Sequence, residues 1–293
     1  MGKKNANDIV KLAMDPPPLD IVISKKLTKK EKEKIKIEIC GEEILPNVIR
    51  CSYKGNIESL PRFNDGVWWV QDAASQIACN ILISKIKKSF SKSIHELIAF
   101  DLCCAPGGKT AQLLDNNLKL LCVEKSISRS NVFKKNMDRL NFNPELINVN
   151  AENFNPVIKA DVIIIDAPCS ATGTIRKNPD IFLRAIPNNL DNLILTQNKI
   201  LENSAKILNK NGFIMYITCS LQKDEGENRI KEFLNNNKEF AISRFCLNDY
   251  PHIKKAITKE GFIRILPNYF NFSSENVING TDGFFIALLK KEN

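Results

Sequence analysis

A doubly wound, Rossmann-like α/β fold preceded by a small α+β domain is predicted by three features of the 293-residue chain: short β-branched apolar runs, helix-period segments alternating with them, and a change of texture near residue 60. The runs Asp161-Val162-Ile163-Ile164-Ile165 and Gly212-Phe213-Ile214-Met215-Tyr216-Ile217 are continuous rather than alternating. They read as parallel strands buried on both faces.

Residues 1–60 hold Pro16-Pro17-Pro18, a lysine-dense stretch from Lys25 to Lys36 and a strand-like segment from Ile44 to Cys51. Together they predict a small basic α+β domain. Its Lys25, Lys26, Lys29, Lys30, Lys32, Lys34 and Lys36 suit contact with phosphates, and equally suit a solvated helix face of mixed charge. Residues 61–293 form the larger domain. There Ala74, Ile77, Ala78, Ile81, Leu82 and Ile86 recur at helical spacing and lead to a first strand over 97–102. The pattern then predicts helix 109–116, strand 119–124, helix 127–140, strands 145–149 and 161–165, helix 189–208, strand 212–217, helix 224–236 and a last strand over 283–289.

Hydrophobic residues make up 43% of the chain, enough for a sizeable core. Lys and Arg total 42 against 33 Asp and Glu, and the resulting +9 suits a polyanionic partner. No apolar stretch approaches the roughly 18 residues of a membrane span, and the start Met1-Gly2-Lys3-Lys4 lacks a signal-peptide core. A cytoplasmic protein without a membrane partner is expected. The nine cysteines are odd in number and dispersed, with no Cys-x-x-Cys pair, which fits free thiols in a reducing compartment. With only His95 and His252 present, no metal site and no histidine triad are expected. The nucleophile or base is then a carboxylate, a lysine or a thiol.

Thiols lead. Cys169 in Asp166-Ala167-Pro168-Cys169-Ser170 and Cys219 in Thr218-Cys219-Ser220 each follow a predicted buried strand. In open α/β sheets ligands bind beyond the carboxyl ends of the strands, so both thiols belong at one crevice. The alternative for either is a small buried hydrophobe. The first strand empties into Asp101-Leu102-Cys103-Cys104-Ala105-Pro106-Gly107-Gly108-Lys109-Thr110, a small-residue turn into a helix. A phosphate loop would need glycine where Cys103 stands, and Gly-x-Gly-x-x-Gly is absent. A nucleoside ligand without a phosphate chain fits better, with Glu124 at the end of the second strand placed to accept from a ribose.

Cys-Cys-Ala-Pro-Gly-Gly-Lys at 103–109, Asp-Ala-Pro-Cys-Ser at 166–170 and Thr-Cys-Ser at 218–220 together resemble the Fmu/Sun (RsmB-like) family of S-adenosylmethionine-dependent RNA 5-methylcytosine methyltransferases. Val70-Gln71-Asp72-Ala73-Ala74-Ser75-Gln76, residues 173–180 and Asp282-Gly283-Phe284-Phe285 extend the resemblance, in order, over about residues 60–293. It implies the seven-stranded methyltransferase sheet and an RNA-binding role for the small N-terminal domain. The extra NusB-like domain of longer relatives is not expected in this length.

By this resemblance Cys103, Cys104, Ala105, Pro106, Gly107, Gly108 and Lys109 wrap the methionine and ribose parts of S-adenosylmethionine, and Glu124 holds the ribose hydroxyls. Asn150 takes the adenine-side position, where the family usually has aspartate. Asp166 lies between cofactor and base. The resemblance assigns Cys219 as the nucleophile toward carbon 6 of cytosine and Cys169 as the thiol that assists release; without it the two roles are interchangeable. Arg176 and Lys177 are placed to meet the RNA backbone, or are plain surface charges. The implied substrate is a structured RNA with an accessible cytidine, small-subunit ribosomal RNA first and transfer RNA second. Competing readings are a non-catalytic RNA-binding scaffold, a nucleotide hydrolase and a thiol redox protein.

Overall fold

The computed structural model describes residues 2–183, 187–245, 251–270 and 279–292. After a first helix, α1 (Lys3–Met14), the small domain is built from β1 (Leu19–Ile23), α2 (Lys29–Glu38), β2 (Glu42–Leu45), β3 (Val48–Cys51) and β4 (Trp68–Val70). The strands form an antiparallel sheet in the order β2-β3-β1-β4. The small sheet thus draws in residues beyond 60. The segment expected as one strand over 44–51 folds as a hairpin, because Asn47 at φ 64 turns the chain between β2 and β3. Helix α2 starts at a capping box: Thr28 accepts from the Glu31 amide, and the Glu31 carboxyl accepts from the Thr28 amide.

Strand alternation divides the side chains of this sheet between two cores. Ile21, Ile23, Ile49 and Trp68 pack with Ile35 of α2 into the domain's own core, whereas Val22, Val48 and Trp69 join the core of the larger domain. A buried ion pair reinforces that junction. Arg50 Nε and Nη2 meet the Asp20 carboxyl at 2.6 and 2.8 Å, Asp20 also accepts from the Ala73 amide, and Arg50 Nη1 donates to the Gly280 carbonyl at 2.7 Å.

The larger domain begins with α3 (Ala73–Ser89), capped by Asp72. There follow β5 (Ile98–Leu102), α4 (Gly108–Leu114), β6 (Lys119–Val123), α5 (Ile127–Arg139), β7 (Glu145–Ile147), β8 (Ala160–Asp166), α6 (Pro187–Ile207), β9 (Leu208–Thr218), α7 (Glu227–Asn236), β10 (Phe240–Ile242), β11 (Ile263–Ile265) and β12 (Phe284–Lys291). The sheet runs β10-β12-β9-β8-β5-β6-β7, with β11 as an eighth strand paired to β12. Strands β5 to β9 are mutually parallel, and β12 enters antiparallel beside β9. Val162 and Ile164 of β8 face the core shared with α3, α4 and α5; Ile163 and Ile165 face the one shared with α6 and α7. Burial on both faces is why these strands read as unbroken apolar runs.

The predicted helix 189–208 ends at Ile207, and β9 starts four residues earlier than the run at Gly212 suggested. Strands β10 and β11, at three residues each, carry too little periodicity to be read from sequence. Among the described residues, no helix is long and apolar enough to cross a membrane.

Candidate active site

The order of strands reverses at β5, whose neighbours are β6 on one side and β8 on the other, so a crevice opens at the carboxyl ends of these strands. Asp166 is the last residue of β8, in register with Ile217 of β9, and the Ala167 amide donates to the Ile217 carbonyl at 2.9 Å. The two strands therefore release their loops side by side. Cys169 and Cys219, fifty residues apart in sequence, come to lie with their sulfurs 3.5 Å apart. The hydrogen bond with Cys219, followed by burial, raises the pKa of the Cys169 thiol well above the usual cysteine value. Gly173 closes this corner: its amide donates to the Cys219 carbonyl, its carbonyl accepts from the Gly283 amide, both at 2.8 Å, and a Cβ there would lie 2.0 Å from the Gly283 oxygen.

From β5 the chain turns through Cys103, in the left-handed region at φ 65, whose amide donates to the Val123 carbonyl at 2.8 Å. Helix α5 pins the turn from outside, Arg129 donating to the Ala105 carbonyl and Asn136 to that of Pro106. Lys109, in the first turn of α4, reaches back so that its Nζ meets Asp166 Oδ2 at 2.8 Å and lies 5.4 Å from the centre of the Phe284 ring. Burial acts to lower the lysine pKa, but the Asp166 charge and hydrogen bond outweigh it and hold the ammonium above its ordinary value. Asp101, the fourth residue of β5, accepts from the Thr110 hydroxyl at 2.6 Å. Burial, only partly offset by that bond, pushes its carboxyl up to about 7.

Glu124 follows β6 directly and is 2% exposed. Its Oε1 accepts from the Ser126 amide at 2.9 Å; its Oε2 pairs with Arg129 at 3.2 Å but makes no hydrogen bond. A cavity of about 200 Å³ gathers Cys103, Glu124, Asp166, Cys169 and Cys219 in its lining. Pro106, Gly107 and Gly108 line a different cavity, of about 600 Å³, with Trp69 and Val70. Asn150 is exposed; its neighbours Val149 and Ala151, rather than Asn150 itself, line the first cavity.

Arg176, expected at the RNA backbone, is turned inward, and Lys177, expected there too, is exposed but directs its ammonium at buried carboxyl groups. Arg176 is buried, 3.5 Å from Asp72 and 3.8 Å from Asp282, and Lys177 meets the same two carboxyl groups at 3.0 and 2.7 Å. Two buried acids need two cations, and these supply them. Burial first and the Asp72 charge second push Asp282 up to about 6, while Lys177 and Arg176, acting against burial, hold Asp72 below the usual carboxylate range. Sequence reasoning also passed over Arg129, Asp101 and Glu225. Asp101 opens the glycine-rich turn and Glu225 follows Cys219 by six residues, but neither position announces a partner from another segment.

The description "16S rRNA methyltransferase RsmB/F" belongs to the family model that matches residues 92–290. The probable ribosomal RNA small subunit methyltransferase B of Coxiella burnetii is 30% identical over 258 residues, 85% of this chain and 54% of that protein. The chain spans about half the length of the curated relatives it matches. Among solved structures, PH0851 is similar with a TM-score of 0.82 and 26% identity over 99% of this chain and 63% of the other. NSun6 from Pyrococcus horikoshii, solved with SFG, has a TM-score of 0.79 at 18% identity, covering 100% and 96% of the two chains, which is a likeness of fold.

Proposed function

The chain belongs to the 16S rRNA methyltransferase RsmB/F family, and from that premise we propose that it methylates carbon 5 of a cytidine in structured RNA, using S-adenosylmethionine. The observation that carries this reading is the 3.5 Å approach of Cys169 and Cys219 at a cavity that also holds Glu124 and Asp166. Small-subunit ribosomal RNA is the first substrate and transfer RNA the second.

The donor set fits the cofactor. Glu124 presents a buried carboxyl oxygen without a hydrogen bond, suited to ribose hydroxyls, and Cys103 lines the same cavity. Bound there, S-adenosylmethionine supplies an electrophilic methyl group. Of the loop Cys103 to Lys109, Cys103 lines this cavity and Pro106 to Gly108 line the other one, while the adenine-side position of Asn150 is represented in the lining by its neighbours Val149 and Ala151.

Cytosine carbon 5 is a weak nucleophile, so a group must first add at carbon 6. Cys219 makes that bond, which renders carbon 5 enamine-like. Asp166, held by Lys109, hydrogen-bonds the N3 and amine edge of the base and stabilises the adduct as charge develops. Once carbon 5 is methylated, its proton passes to solvent water, the electron pair it leaves re-forms the 5,6 double bond, and the carbon 6–Cys219 bond breaks; Cys169, which keeps its proton, is suited to assist by hydrogen-bonding the departing Cys219 sulfur 3.5 Å away. With Arg176 buried and the Lys177 ammonium paired to Asp72 and Asp282, further cations for RNA are offered by the small domain, where Lys29, Lys32 and Lys36 line one cavity together with Glu33 and Glu43.

Bisulfite sequencing of small-subunit RNA incubated with the chain and S-adenosylmethionine tests this. A protected cytidine that appears only with both is the expected result; protection absent on ribosomal and transfer RNA alike would overturn it.

A further inference from the structure

Glu225 is fully buried and stands where the two cysteine loops meet. Its Oε1 accepts from the Ser170 amide at 2.8 Å and from Gln197 Nε2 at 3.1 Å; its Oε2 accepts from the Ser170 and Ser220 hydroxyls, both at 2.5 Å. Ser170 and Ser220 are the residues directly after Cys169 and Cys219, and their hydroxyls are 3.1 Å apart. The backbone carbonyl of Glu225 is itself anchored on β9, accepting from Tyr216 at 3.1 Å and Thr218 at 3.4 Å. Gln197 extends the clasp by donating also to the Pro168 carbonyl at 2.9 Å, and Arg264 tethers the Ser220 carbonyl at 2.5 Å.

One carboxyl group thus ties the β8 loop, the β9 loop and α6 together. We propose that Glu225 is a positioning residue for the thiol pair, clasping the serine after each cysteine so that the two sulfurs stay within reach of one another. The residue type follows from the donor count. Two oxygens face an amide, a side-chain amide and two hydroxyls, whereas glutamine would offer one oxygen and set an NH2 group among donors. Glu225, Ser170, Ser220 and Gln197 are not in the lining of the cavity, which the clasp meets only at Pro168, so its effect on chemistry passes through the cysteine loops. Both oxygens of the Glu225 carboxyl are satisfied, which is what lets a buried group of this kind fix a geometry, whereas Gln197 Oε1 has no hydrogen-bond partner.

The role rests on the reading of Cys219 and Cys169 as the reacting pair, and the test separates the two. Wild type, Glu225→Gln, Ser220→Ala and Ser170→Ala are treated with diamide, which takes up the two electrons and two protons as the Cys169–Cys219 disulfide closes. Closure is followed by mass spectrometry in chains shown to be folded by circular dichroism. Glu225→Gln should slow closure by roughly tenfold or more, and each serine variant by less, since a displacement of about 1 Å at a reacting centre is enough for such losses. In RNA assays Glu225→Gln should accumulate covalent adduct, the result also expected of Cys169→Ala, rather than lose it.

Folded variants that close at the wild-type rate would overturn the positioning role, even with a lowered melting temperature. Should Glu225→Gln not fold, the serine variants decide by the same measure. A wild-type chain that closes its disulfide but methylates no RNA would sink the functional reading and leave the closure rates to judge Glu225.

Discussion

The sulfurs of Cys169 and Cys219 stand 3.5 Å apart because β8 and β9 are adjacent and parallel, in register from Val162 with Phe213 to Asp166 with Ile217. Each loop leaves its strand at the same level, so a cysteine three residues past Asp166 meets one two residues past Ile217. The hydrogen bond with Cys219, and then burial, raise the pKa of the Cys169 thiol well above the usual cysteine value.

The roles proposed for the two thiols predict opposite fates for two variants. Cys219→Ala should form no covalent RNA adduct and lose turnover by roughly a thousandfold or more, as removal of a nucleophile does. Cys169→Ala should trap the adduct. Denaturing gels of labelled RNA with each variant check this, and the reverse pattern would exchange the two roles.

The unbonded Oε2 of Glu124 makes a second prediction. Glu124→Gln, which keeps the size but offers one acceptor fewer, should weaken S-adenosylmethionine binding roughly ten- to a hundredfold, the worth of one buried hydrogen bond to a charged group. Titration calorimetry reads it. Unchanged affinity would place the ribose elsewhere.

Arg176 sits between Asp72 and Asp282. Arg176→Met should therefore destabilise the fold, on the order of 3 kcal/mol, because it leaves buried acids short of a cation. Urea unfolding measures the loss. The salt dependence of RNA binding by the folded variant should keep its slope, since no phosphate contact is removed.

Asp101 gives a pH dependence whose sign follows from its burial. With a folded pKa of about 7 against an unfolded value near 3.8, the folded chain keeps a proton that the unfolded chain releases. This contribution to stability is complete below about pH 4 and is lost as pH rises through about 7, by a few kcal/mol at most. Asp101→Asn does not titrate. Urea midpoints at pH 5 and pH 8 should differ less in the variant than in wild type, and an equal difference in both would refute the shift.

The sequence by itself determined the framework of the larger domain. Short unbroken β-branched runs such as 161–165 and 212–217 read as strands covered on both faces, and their alternation with amphipathic helices implies a parallel, doubly wound sheet. It also marked the strand ends where Glu124, Asp166, Cys169 and Cys219 lie, since a motif that follows a buried strand is carried to the sheet's edge. Periodicity did not separate β2 from β3 or detect β10 and β11, because three or four residues hold too few repeats to show a period.

Tertiary structure alone decided which groups face one another. Lys109 meets Asp166 across fifty-seven residues, Arg176 and Lys177 turn in toward Asp72 and Asp282, and Glu225 clasps Ser170 across fifty-five. Composition and spacing report a residue's own preference for water or a helix face. A buried charge or hydroxyl answers instead to partners delivered by other strands, and that requirement exists only once the chain has closed around it.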